Sequence, residues 1–139
     1  ITENTAFLMA NLLQGVVDEG TGRRLRFRYG FKNQIGGKTG TTQNHSDGWF
    51  IGITPDLAGG VWVGAEDRSI HFQNLANGQG ASMALPIWAL FMQKVYADKS
   101  LAVPQSDFQK PNGVNHVLDC GDADREGMTD YDSSDEIFD

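Results

Sequence analysis

The sequence predicts an α+β fold: a three-stranded antiparallel sheet with an N-terminal and a C-terminal helix packed on one face. Three observations predict it. Apolar residues recur at helical spacing near both ends of residues 1–102, three short glycine-punctuated, β-rich runs lie between them, and Pro55-Asp56 marks a reversal between the last two runs.

In chain order, Phe7, Leu8, Leu12 and Val16 recur at helical spacing over Glu3 to Asp18, Met9 and Leu13 widen the stripe, and Gly20 and Gly22 stop it. An amphipathic helix follows. Arg24 to Tyr29 alternates basic and apolar residues, the period-two pattern of a short strand or extended loop with one solvated face. Three strands are predicted over Gln34 to Thr42, Gly48 to Thr54 and Gly60 to Gly64, joined by turns at Gln43 to Ser46 and at Pro55-Asp56. Adjacent antiparallel pairing results. Arg68 to Gly80 has no period and is assigned to loop, Ser82 is the expected cap of a second helix, and Leu85 to Tyr96 completes it, with Pro86 in its first turn or at a kink. From Val103 to Asp139 proline, glycine, aspartate and serine replace the large apolar residues, so an extended or disordered acidic tail is expected.

The 139 residues set a ceiling of one modest domain. The net charge of −7 is unevenly held: residues 119–139 carry nine acids and one base, and the remainder carries nine acids and ten bases. A nearly neutral body with an acidic tail offers no footprint for nucleic acid. The single cysteine, Cys120, permits no internal disulfide and has no base beside it to activate the thiol. The longest apolar run, Met83 to Met92, has ten residues and contains Pro86, which suits a buried helix rather than a bilayer crossing. Beginning at Ile1, the chain reads as a piece of something longer.

The chemistry concentrates in Gly36-Gly37-Lys38-Thr39-Gly40-Thr41-Thr42. Glycines allow close backbone approach, the lysine supplies a fixed positive charge, and the threonines add hydroxyls beside backbone N–H groups. Such a stretch reads anions. A phosphate-binding loop would need GxxxxGK[ST] followed at once by a helix, but Lys32 stands where the first glycine belongs, and Asp47 to Ile53 suits a strand. The remaining setting is a strand edge lining an acyl-transfer cleft, the role that KTG has beside SxxK and a second serine motif.

Residues 37–64, GKTGTTQNHSDGWFIGITPDLAGGVWVG, resemble the third-motif strand and the next two strands of class A high-molecular-weight penicillin-binding proteins. Gly15 to Gly22 before them and Ala84 to Trp88 after them resemble the same family in the same order, so the likeness covers roughly residues 1–98. It implies part of a β-lactamase/transpeptidase-like fold, with residues 1–102 as the C-terminal portion of a transpeptidase domain and 103–139 as the tail. By this resemblance Lys38 keeps the site electropositive and shares in proton transfer, while Thr39 and Thr41 donate hydroxyls to the substrate's terminal carboxylate. The Thr41 N–H is half of an oxyanion hole, Gly40 leaves space for substrate, and Thr42 joins the substrate-binding strand.

The resemblance also implies D-Ala-D-Ala stem peptides of peptidoglycan and β-lactams as ligands, no cofactor, and a membrane-anchored parent with this portion outside the cytoplasm. A glycosyltransferase domain in the parent rests on the class A likeness alone. None of the seven serines begins SxxK or SxN, and only 37 residues precede Lys38, so nucleophile and base are not in this chain. Alone, the chain is therefore expected to be inactive, with an uncovered apolar face that pairs with the rest of the domain or with itself. The alternative is a non-catalytic interaction module.

Other residues carry weaker chemistry. His45, His71 and His116 lack metal-site spacing and read as surface or loop histidines. Trp49, Trp62 and Trp88 read as core. Asp122 to Gly127 partly mimics a calcium loop, but Ser133 occupies the position of its last glutamate, so a solvated tail is preferred.

Overall fold

The computed structural model describes residues 1–114. His116, Cys120 and the calcium-loop mimic lie outside the described residues.

The first helix, α1 (Glu3–Asp18), has the predicted bounds. Thr2 caps it, its hydroxyl accepting from the Thr5 N–H at 3.2 Å, and Glu3 places negative charge at the positive end of the helix dipole. After it, Arg24–Phe27 forms a one-turn helix, α2, where the alternation predicts an extended segment. Tertiary bonds decide the difference. Leu25 is fully buried, Arg24 donates to the Ala81 carbonyl and the Ser82 hydroxyl at 3.0 Å each, and Arg26 donates to Asp18 at 2.7 Å. Phe27, nearly opposite Leu25 on the turn, is left 70% exposed, so the apolar alternation marks no single buried face.

The sheet comprises β1 (Gly36–Thr41), β2 (Gly48–Ile53) and β3 (Ala58–Val63), antiparallel in the order β1-β2-β3. Each strand keeps its predicted centre, and no end differs from the prediction by more than two residues. The Pro55-Asp56 turn closes with the Thr54 N–H donating to the Leu57 carbonyl at 2.7 Å. Within the segment read as loop, Leu75–Gly78 makes a short helix, α3, capped by the Asn74 side chain. Gly80–Met83 forms α4 and runs directly into α5 (Leu85–Ala97). Ser82 therefore lies inside α4 and does not cap α5; Ala84 holds the cap position, and Pro86 sits in the first turn, the first of its two expected places, rather than at a kink.

One cluster joins these elements: Val17 of α1, Leu25 of α2, Phe31, Ile35, Phe50 of β2 and Trp88 of α5. Trp88 is its centre. The indole is 1% exposed, meets Phe50 edge-on at 5.4 Å, and donates from Nε1 to the Gly59 carbonyl at 3.1 Å. That bond satisfies the one polar atom of a large apolar group. A Cβ at Gly52 would enter the Trp88 ring, which is why β2 carries no side chain there.

Trp49 and Trp62 correct the expectation of core positions. They are 46% and 48% exposed, face each other in register across β2 and β3, and share their side of the sheet with Ile51. Pleating explains it, because α5 covers the side that carries Phe50. Beyond α5, residues 103–114 contain no helix or strand and are tied back by the Phe108 N–H donating to Gln34 at 2.8 Å and Ser106 to Asp56 at 2.7 Å.

Candidate functional site

The predicted site residues Lys38, Thr39, Gly40, Thr41 and Thr42 all lie on β1 or the turn after it, and β1 is an edge strand. The ladder decides which of its backbone groups are free. The Thr42 N–H donates to the Asp47 carbonyl at 3.0 Å, so residues 42 and 47 form a hydrogen-bonded pair. In the register Gly40↔Trp49 and Lys38↔Ile51, the bonded pairs then recur every second residue. The main-chain groups of Gly37, Thr39 and Thr41 consequently point away from β2, along the outer margin. Among the described residues no group accepts from the Thr41 N–H, and Thr41 is exposed.

Side chains divide between the two faces. Thr39 and Thr41 share the side of their partners Phe50 and Gly48, whereas Lys38 and Gly40 share that of Ile51 and Trp49. A single ligand can reach all of them only along the margin between. Lys38 already turns that way, its Nζ donating to the outward Thr39 carbonyl at 2.8 Å.

Each hydroxyl has a fixed partner. The Thr39 and Thr21 hydroxyl oxygens lie 2.9 Å apart, and the Thr41 hydroxyl accepts from the Gly80 N–H at 2.9 Å. Accepting that bond leaves the Thr41 hydroxyl proton available for a ligand. Gly80 is required there, since a Cβ on it would strike the carbonyl oxygens of Gly40 and Trp49. The Thr42 hydroxyl is used within the turn, accepting from the Asp47 N–H at 3.0 Å and lying 3.1 Å from Ser46 Oγ. It braces the strand end. Gly40 stands against Trp49, whose Cβ would be 3.2 Å from any side chain added there.

The turn ends on Asp47, a hub with a side chain 16% exposed. The Ser46 hydroxyl at 2.7 Å, the Trp62 indole at 3.1 Å and the Arg68 guanidinium at 3.5 Å hold its carboxyl below the ordinary carboxylate range, against an opposing effect of partial burial. Beside it a polar cleft of about 490 Å³ is lined by Thr41, Thr42, Gln43, Asn44 and Arg68. Thr21, Gly80, Asp47 and Arg68 are the site residues that the sequence reading missed. Only Thr21 carried a visible signal, as the threonine between Gly20 and Gly22. Among the described residues no group of three or more His, Cys, Asp or Glu side chains could hold a metal ion.

No family model matches the chain. Penicillin-binding protein 1A of Pseudomonas aeruginosa is 36% identical over 116 residues, covering 82% of this chain and 13% of that protein. The Aquifex aeolicus protein of the same name is 36% identical over 101 residues, 73% of this chain and 12% of its own length. The crystal structure of penicillin-binding protein 1A from Haemophilus influenzae aligns with a TM-score of 0.67 and 27% identity, covering 81% of this chain and 17% of that one. The chain thus spans about an eighth of the length of the relatives it matches.

Proposed function

Because the chain belongs to the penicillin-binding protein 1A family and has part of its transpeptidase fold, we propose that it carries the substrate-holding strand of a peptidoglycan D,D-transpeptidase. A stem peptide ending in D-Ala-D-Ala lies along the outer margin of β1. Its terminal carboxylate accepts from the Thr39 and Thr41 hydroxyls in the positive field of Lys38, and Gly40 leaves room for its backbone. A serine from another segment of the domain attacks the penultimate carbonyl. The oxyanion formed accepts from the Thr41 N–H, and collapse of the tetrahedral intermediate expels the terminal D-alanine as an amine. The acyl group then passes to the amine of a second stem. β-Lactams occupy the same margin, and Lys38 takes part in moving the proton from the attacking hydroxyl.

The observation that carries this reading is the exposed, unbonded Thr41 N–H on the margin that also presents Lys38, Thr39 and the Thr41 hydroxyl. A backbone donor fixed by a sheet costs no reorganisation when charge develops beside it. The rest of the domain, supplying SxxK and SxN, is the proposed partner. It would cover the Trp49–Ile51–Trp62 patch and the exposed Ile87, Leu90 and Phe91 of α5. The domain portion is proposed to end near residue 102. The working location is outside the cytoplasm; among the described residues no helix is long and apolar enough to cross a membrane.

Fluorescent penicillin tests the reading. The 139-residue chain alone should take no covalent label, and mixing it with a polypeptide that supplies the SxxK and SxN segments of a relative should restore labelling on the added serine. A stoichiometric adduct on any of this chain's seven serines, or a labelled complex indifferent to Thr41→Pro, which removes the N–H, would overturn it.

A further inference from the structure

Two asparagine-glycine pairs occur in the chain, Asn77-Gly78 and Asn112-Gly113, and the fold treats them oppositely. The main-chain nitrogen after an asparagine can attack the side-chain amide, most readily when it belongs to glycine, because no Cβ then stands in the way. Whether it does so depends on its surroundings. Asn77 and Gly78 end α3, where the Gly78 N–H donates to the Asn74 carbonyl and the Asn77 N–H to the Asn74 side chain, each at 3.0 Å. Gly78 is buried, and an added Cβ there would strike the Cβ atoms of His45 and Phe72. Turning the peptide between residues 77 and 78 would break that helix end and meet those side chains.

Asn112-Gly113 is open. It forms the corner of a turn closed by the Val114 N–H donating to the Pro111 carbonyl at 3.2 Å, and both of its residues are exposed. Among the described residues the Gly113 N–H donates to no main-chain carbonyl. The turn is seated on the start of α1, since a Cβ on Gly113 would lie 2.9 Å from Asn4 Nδ2, and Val114 beside it is only 4% exposed.

We propose that Asn112 is a covalent modification site, converted by water to aspartate and isoaspartate through a cyclic imide, while Asn77 is spared. The Gly113 nitrogen gives its proton to hydroxide and bonds to Asn112 Cγ; the bond from Cγ to Nδ2 breaks, and the amide nitrogen leaves, protonated, as ammonia. Water then opens the imide. Attack at Cγ restores the ordinary main chain with an aspartate side chain, whereas attack at the Asn112 main-chain carbonyl carbon leaves the chain running through the side chain, as isoaspartate. No electrons are transferred: an amide and water become a carboxylate and ammonium. Isoaspartate inserts a methylene into the main chain between residues 112 and 113, so the turn loses the bond from Val114 to Pro111 and Val114 loses its seat. The reaction thereby loosens the segment after α5 where it is held against α1. The proposal is independent of the transpeptidase reading of β1.

The 139-residue chain is aged in warm, mildly alkaline buffer, both folded and in urea, then cut with trypsin, which places Asn77 and Asn112 on separate peptides. Mass spectrometry follows the conversion of amide to acid at each, with fragment ions separating Asn112 from Asn115. In the folded chain Asn112 should convert about tenfold faster than Asn77 or more, and in urea the two rates should come within a factor of about two. Equal rates in the folded chain, faster conversion at Asn77, or a tenfold difference that survives in urea overturns the proposal; the last would show that neighbouring residues, not the fold, choose the site. The Val114 amide hydrogen reports the consequence. It should exchange faster in the aged chain than in Asn112→Asp, which carries the new charge without the extra methylene, and equal exchange in the two overturns the loosening.

Discussion

The two faces of the sheet are built by opposite rules. Under α5, Phe50 and Trp88 fill a closed space so fully that Gly52 can carry no side chain, and the single polar atom in it is bonded to Gly59. On the other face Trp49, Ile51 and Trp62 stand about half exposed beside Lys38. The same residue type, tryptophan, is buried on one side and half-exposed on the other, where Trp62 is held by its indole bond to Asp47. What separates them is strand register and the helix above, not the residue, so composition alone could not distinguish them.

The comparison can be broken most severely at Trp88. Trp88→Ala removes the centre of the cluster and should destabilise the chain by about 3 to 5 kcal/mol in urea unfolding, whereas Trp62→Ala should cost less than about 1 kcal/mol. Equal losses would show that the exposed face is packed in solution. Gly52→Ala should come next, at about 1 to 3 kcal/mol, because the added methyl drives Trp88 out of its rotamer; near-UV circular dichroism should weaken with it. Arg24→Leu tests the same closed side from α2. Its guanidinium holds the Ala81 carbonyl and Ser82, and its loss should lower stability by about 1 to 3 kcal/mol, less if water reaches both acceptors.

The smallest effect belongs to the open side and appears only with pH. The folded state holds Asp47 below its ordinary value of 3.8, so its stabilising contribution is fully present above that value and is lost as pH falls through the depressed folded value. Urea midpoints of the unaltered chain and of Asp47→Asn should therefore separate at neutral pH and converge as pH falls through the depressed folded value. Midpoints that stay equally far apart down to pH 2 would show that the Ser46, Trp62 and Arg68 contacts depend on side-chain shape rather than on charge.

Sequence reading succeeded where period and punctuation carry the information. The apolar spacing in α1 and the glycines and turn dipeptides around β1, β2 and β3 mark these elements directly, and KTGT marks the strand that faces the margin. It failed where distant partners decide. Arg24 to Phe27 coils into a turn because Ala81 and Ser82, 57 and 58 residues from Arg24, accept its guanidinium protons. Ser82 does not cap α5, because α4 and α5 join without an interruption for it to fill. The same limit applies to the site. Lys38, Thr39 and Thr41 are legible as a motif and Thr21 shows as a threonine between two glycines, but Gly80 and Arg68 reach the strand only through folding, and no local pattern announces them.

Lys38 has a further consequence for how the protein avoids clumping. Its ammonium, clipped onto the Thr39 carbonyl, blocks one of the few outward acceptors on an otherwise unguarded strand, and its charge repels a second copy carrying the same lysine. Growth of the sheet from molecule to molecule is discouraged at that edge.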